Sequence, residues 1–223
     1  MNRMHRDARI HLNLWKQNLG RVPDWVWDRI DAESLVLADN ALTELSGQIG
    51  LLTHLRMLDL GHNQLRELPD EFGTMDRLTD FLYLHDNRLR ALPPSLGSLK
   101  GLRYLNISEN AFTEFPEVIC ELGSLMELRA TDDNVERLPE SIGRLVNLRE
   151  LHLRNNRLTQ LPETIAALRD LRHLDVRGNP LKSLPSALAE LPRLEKLDLR
   201  WVTTLSPPDW LGNLEMRGCR VYW

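Results

Sequence analysis

The chain reads as an α/β protein, a right-handed horseshoe solenoid with about ten short parallel strands on its concave face and 3₁₀, short helical and extended segments on its convex face. Three observations predict this. An apolar-x-apolar pair recurs with a 23-residue period, at 12/14, 35/37, 58/60, 82/84, 105/107, 128/130, 151/153, 174/176 and 197/199. Three residues after each pair stands a polar side chain, Gln17, Asn40, Asn63, Asn87, Asn110, Asp133, Asn156 and Asn179, until Val202 breaks the column. Proline marks the other half of each unit, at 23, 69, 93, 116, 139, 162, 185 and 208, with Ser46 at the one gap.

Each element has a physical reason. In a short strand the two apolar residues of a pair point one way and the residue between them points the other, so the pair enters the core. The Asn sits where the chain turns off the strand, and its amide can satisfy backbone groups that the turn leaves unpaired. Proline lacks a donor and fixes φ, which suits the return segment and not a sheet interior. The apolar residues that follow, as in Ile142-Gly-Arg-Leu145-Val-Asn-Leu148, have the three-residue spacing of a 3₁₀ turn. One unit cannot bury its apolar face alone, but stacked units share a continuous core. The ends then need covers. All six tryptophans lie there, Trp15, Trp25 and Trp27 at one end and Trp201, Trp210 and Trp223 at the other, and most are read as caps. Met216-x-x-Cys219-x-Val221 repeats the strand spacing and predicts a tenth, closing strand with Cys219 in the core. The expected organisation is a single domain, 1–223, with an N-terminal capping repeat at 1–30, regular repeats over 31–200 and a C-terminal cap at 201–223.

The pattern resembles leucine-rich repeats of the 23-residue L-x-x-L-x-L-x-x-N-x-L-x-x-L-P-x-x-I-G-x-L type, and nearly the whole chain carries it. Similar repeats occur in Ras-suppressor-like intracellular scaffolds, in plant intracellular proteins and in bacterial proteins, including effectors of plant pathogens. The resemblance implies protein binding in the cytosol without naming a partner.

Stacked strands turn equivalent positions into columns across the sheet. Before the first strand leucine run His11, Ser34, Met57, Phe81, Tyr104, Glu127, Glu150, His173 and Lys196; between the pair run Asn13, Val36, Asp59, Tyr83, Asn106, Arg129, His152, Asp175 and Asp198. After the second run Trp15, Ala38, Gly61, His85, Ser108, Thr131, Arg154, Arg177 and Arg200. Met57, Phe81, Tyr83 and Tyr104 fall together near the middle, with His85 beside them. Such a cluster is a candidate hot spot for a protein partner, although aromatic residues also suit any strand. A second candidate patch combines Arg129, His152, Arg154, Arg177 and Arg200, partly neutralised by Asp175 and Asp198. A third column, Asp39, His62, Asp86, Glu109 and Asp132, reads as solvated charge, because no ligand spacing there supports a metal. Two irregularities stand near the middle. One extra residue in Leu78-Thr-Asp-Phe81-Leu82 predicts a bulge that re-aims Phe81, and the next unit but one carries Ala130 for Leu and Asp133 for Asn.

With 42% hydrophobic and 27% charged residues the chain has the composition of a folded soluble protein, and its 28 basic against 32 acidic residues give a net charge of −4, with no global attraction to phosphate or anionic lipid. Residues 1–10 lack an apolar leader, no run approaches a membrane span, and Cys120 and Cys219 show no disulfide or metal framework, so a cytoplasmic monomer is expected. Delivery into a host cell by a specialised secretion system needs no such leader and stays open. No Walker loop, zinc-hydrolase helix, nucleophile elbow or kinase signature occurs, so neither catalytic residues, nor a metal, nor any other cofactor is expected. The expected function is a non-catalytic interaction module or scaffold. Two alternatives stand beside it: the recognition part of an effector or larger enzyme whose catalytic domain lies on a longer parent chain, and nucleic-acid binding through the Arg column, against which the mixed acidic residues count.

Overall fold

The computed structural model describes residues 10–223, and the reading of an N-terminus without a leader rests mainly on residues 1–9, outside them. Among the described residues, ten strands form one open parallel sheet in chain order. They are β1 (Ile10–Asn13), β2 (Ala32–Val36), β3 (Met57–Asp59), β4 (Phe81–Tyr83), β5 (Tyr104–Asn106), β6 (Glu127–Arg129), β7 (Glu150–His152), β8 (His173–Asp175), β9 (Lys196–Asp198) and β10 (Arg220–Tyr222). The central leucines of β3 to β9 are all buried, and one hydrophobic core runs from Leu14 to Cys219. No helix among the described residues is long and apolar enough to cross a membrane.

Seven of the eight recurring prolines open a return segment as predicted, and Pro208 instead precedes the α-helix Leu211–Met216. Pro23, Pro69, Pro93, Pro116, Pro139, Pro162 and Pro185 hold φ between −62° and −72° in extended conformation and lead into a 3₁₀ turn that buries an apolar side chain. Ser46 fills the gap by different means: it adopts φ −65° and its hydroxyl accepts the Gln48 N–H at 3.2 Å. The hydroxyl caps the turn that a fixed pyrrolidine ring organises elsewhere.

The asparagine column forms a buried ladder. The Asn40 side-chain amide donates to the carbonyls of Leu14, Leu37 and Ala38 at 2.8–3.1 Å, and its oxygen accepts the Gln17 N–H at 2.9 Å. Asn63, Asn87, Asn110, Asn156 and Asn179 donate in the same way to the preceding coil and to their own turn. Asp133 breaks the chemistry while keeping the shape. Its Oδ1 accepts the Asn110 N–H at 2.9 Å, but its Oδ2, at the place where other rungs carry an NH₂, is buried without a partner. Burial is the main cause that pushes this carboxyl up to about 7, with Asp132 and Glu109 adding to it against two backbone N–H groups. Protonated, it can donate as the amides do.

Three expectations need correction. The extra residue before β4 makes no bulge in the strand: Met57, Phe81 and Tyr104 pair in regular register. It is absorbed one step earlier, where Arg103 N–H bonds the Thr79 carbonyl in place of that of Asp80. Of the six tryptophans only Trp27 is buried and Trp210 half-buried against the core, whereas Trp15, Trp25, Trp201 and Trp223 are exposed. Aliphatic residues largely close the ends, Val22 and Val26 at one and Leu211 and Leu214 at the other. Finally, the closing strand exists but its register differs. Val221, not Cys219, pairs with Leu197, and Met216 belongs to the helix α1 (Leu211–Met216) with 81% exposure. Gly218, at φ +92°, supplies the turn between α1 and β10 that the regular spacing could not foresee. Cys219 is buried even so.

Two outcomes follow. Between about pH 4 and pH 7 folded Asp133 holds a proton that the unfolded chain releases, so its contribution to stability is present at low pH and lost as pH rises through about 7. Asp133→Asn should therefore stabilise the chain by roughly 2–4 kcal/mol near pH 8 and by little near pH 4.5, and urea titrations showing the same gain at both pH values would refute the buried-carboxyl account. Truncation before Pro207 removes α1 and β10, uncovering Leu188 and Leu199, and should cause aggregation or a lower melting temperature; an equally stable soluble product would show that the last unit is no cover.

Candidate functional site

The alternation of each strand leaves one face of the sheet free, and its columns fall in the predicted order. Phe81 is 44% exposed, while Met57, Tyr83, Tyr104 and His85 are partly covered by one another and by neighbouring strands. The rings form a continuous strip. Phe81 stacks on Tyr83 with centroids 6.0 Å apart and meets Tyr104 at 5.5 Å, Tyr83 and Tyr104 stand 5.0 Å apart, and Tyr83 meets His85 edge-on at 6.1 Å. His85 in turn meets His62 at 4.7 Å. Gly61 makes this possible, since a Cβ there would lie 2.4 Å from the His85 ring. Burial pushes the Tyr104 hydroxyl up to about 12 and raises that of Tyr83, so both stay neutral. Burial, followed by the neighbouring His62, lowers the His85 imidazole, whose Nδ1 is buried without a hydrogen-bond partner. A shallow depression of about 470 Å³ adjoins the strip, lined by Phe81, Tyr104, Met126 and the charged Arg56, Asp80, Arg103 and Glu127.

The arginine patch is arranged differently from a free cationic surface. Arg177 and Arg200 each clamp the aspartate two residues earlier through two bonds of 2.7–2.9 Å, to Asp175 and Asp198, and both aspartates are buried beneath them. Arg154 bonds Asp132 at 2.8 Å and Arg129 bonds Glu127 at 2.7 Å. Every arginine of the patch is thus matched by a carboxylate of this chain. Sequence reasoning missed what lies over them. Trp201, 65% exposed, has the guanidinium groups of Arg177 and Arg200 each 5.9 Å from its ring, and Tyr222 receives Arg200 and Lys196. Tryptophans assigned by position to the end of the stack could not reveal this placement on the face.

The column of Asp39, His62, Asp86, Glu109 and Asp132 has a conformational reason. All five residues adopt φ of 50–59°, as do Lys16, Asn155 and Trp201 nearby in angle, while Gly178 occupies the same place at 67°. It is the left-handed step by which each coil leaves its strand, a step that short polar side chains tolerate better than bulky ones. Some of its charges are paired locally, Lys16 with Asp39 at 3.5 Å and His62 with Asp86 at 2.7 Å.

A second cluster escaped the sequence reading because its members stand about one repeat apart. Glu127, Glu150 and His152 present an oxygen or nitrogen each within 4.8 Å of one another. The columns already brought them to adjacent strands, but spacing of 2 and 23 residues matches no sequential metal motif. The two cysteines are both buried and unpaired, and burial raises their thiols.

Comparison with known proteins agrees with this architecture. The "Leucine rich repeat" family model matches residues 32–89 and 80–135, and the "Leucine-rich repeat region" model matches 138–216. No curated protein matches the chain. Among solved structures, a leucine-rich-repeat protein of Leptospira interrogans is 26% identical, with 91% of this chain and 63% of that one covered and a TM-score of 0.53. The ectodomain of the plant membrane receptor kinase GASSHO1/SCHENGEN3 from Arabidopsis thaliana, solved in complex with CASPARIAN STRIP INTEGRITY FACTOR 2, is 26% identical over 90% of this chain and 28% of its own, with a TM-score of 0.71. A TDR receptor is 28% identical over 88% and 35%, with a TM-score of 0.77. This chain spans less than two thirds of the length of each. With family models matching most of its length and the ten-stranded parallel solenoid in place, the chain belongs to the leucine-rich repeat proteins.

Proposed function

We propose that this chain is a non-catalytic protein-interaction module whose partner docks on the exposed, concave face of the sheet over Met57, Phe81, Tyr83 and Tyr104. The observation that carries the reading is the ring strip, a contiguous run of aromatic side chains near the middle of the face. Interface energy concentrates in clustered aromatic residues within a polar rim. The Arabidopsis receptor ectodomain, with its bound factor, supports a protein partner in general terms.

The chemistry of the thiols counts against covalent catalysis. A nucleophilic cysteine needs an electropositive, accessible setting that lowers its pKa, and burial here acts in the opposite direction on both Cys120 and Cys219. The same free thiols support a reducing, cytoplasmic address. The arginine patch, already matched by Asp175, Asp198, Asp132 and Glu127, acts as a flank to the aromatic strip, with Arg129 and His152 nearest to it. We read 1–223 as one monomeric domain with capping ends at 1–30 and 201–223; the core continuous from Leu14 to Cys219 supports a single domain over the described residues.

The test is affinity capture from the native cell with wild type and Phe81→Ala/Tyr83→Ala in parallel. Both rings stand on the outer face, so the double variant should keep its circular dichroism and melting temperature while its partner is lost from the captured set. Unchanged capture by a folded double variant would remove the strip from the interface, and capture of nucleic acid sensitive to salt would favour the arginine flank instead.

A further inference from the structure

We propose that Glu127, Glu150 and His152, with His173 alongside, form a binding site for a zinc-class transition-metal dication on the sheet face. The side chains stand on three successive strands, β6, β7 and β8, where the ladder fixes their spacing. His152 Nε2 lies 3.2 Å from Glu150 Oε2 and 3.9 Å from Glu127 Oε1, and His173 Nδ1 lies 3.5 Å from Glu150 Oε2. Zinc bonds of about 2.0–2.1 Å in tetrahedral geometry require donors about 3.3 Å apart, close to these separations. A single imidazole nitrogen carries one proton at most and cannot bond both carboxylates, whereas a dication placed among them satisfies all the donors at once.

The ligand chemistry selects the ion class. Two carboxylates with one or two imidazoles suit zinc and its neighbours, while calcium and magnesium prefer an all-oxygen shell. Arg129, bonded to Glu127 Oε1 at 2.7 Å, orients that carboxylate and offsets part of its charge. Asp175, the remaining acid facing the cluster from β8, is engaged by Arg177, and Lys196 on β9 leans toward Asp198. The four side chains are between 20% and 36% exposed, which leaves an entry path and a coordination position facing solvent.

Titration calorimetry of the full, chelator-treated chain with zinc chloride, then with calcium chloride, tests the site without any partner. One zinc per chain bound in the micromolar range or tighter, with no comparable calcium binding, is the expected result. His152→Gln/His173→Gln should weaken zinc by about tenfold or more while leaving the circular dichroism unchanged, in line with the sensitivity of metal sites to their supporting residues. His54→Gln, on a turn at the far side of β3, should bind as wild type does. Zinc binding that the double histidine variant retains in full, or calcium binding of equal strength, would overturn the assignment, as would the absence of zinc binding by the wild-type chain.

Discussion

A three-residue strand cannot hold its own place, and in this molecule the buried amide ladder does that for it. Each Asn joins three carbonyls of two coils to an N–H of the preceding one, so the turn after one strand is fixed relative to the next. The groups it satisfies are buried and cannot turn to water, so leaving one unmade costs about 1–3 kcal/mol. The ladder therefore sets register as much as stability. It is the register that places Phe81 against Tyr104, and Glu127 against Glu150, on neighbouring strands.

This also accounts for how much of the molecule was legible in its sequence. The columns written from the period correspond to the observed pairing from β3 to β9, because the side-chain alternation of a strand and a fixed repeat leave one solution. The aromatic strip was legible for that reason. Where the period ends, so does the inference: β10 follows α1 and a glycine turn, and its register shifts from the one that spacing alone assigns to Cys219. Contacts chosen by rotamer were also out of reach. Nothing in a column says that Arg177 and Arg200 fold back over Asp175 and Asp198, or that Glu127 and His152 incline toward each other.

Asp133 shows the ladder from its weakest rung. The side chain has the shape of Asn, accepts the same N–H, and lacks only the donor that the buried carbonyls require. Its retained proton restores that donor at the expense of a pH-dependent stability. The rung lies between β6 and β7, under the strands that carry the glutamate and histidine cluster.

The relative strength of the two halves of the face follows from magnitudes. Engaging Arg177 or Arg200 with a partner carboxylate exchanges one ion pair for another, with a gain in the surface range of about 0–1 kcal/mol, and leaves a buried aspartate without its partner. Covering a third of the ~150–250 Å² of an aromatic side chain removes some 50–80 Å² from water, about 1–2 kcal/mol per ring. Phe81, Tyr83 and Tyr104 offer that gain together and have no ion pair to break, because the two hydroxyls stay neutral and the rings already rest on one another. On the proposed reading, affinity is then set by the aromatic half, and the matched arginine–aspartate pairs discriminate against partners whose charge would disturb them.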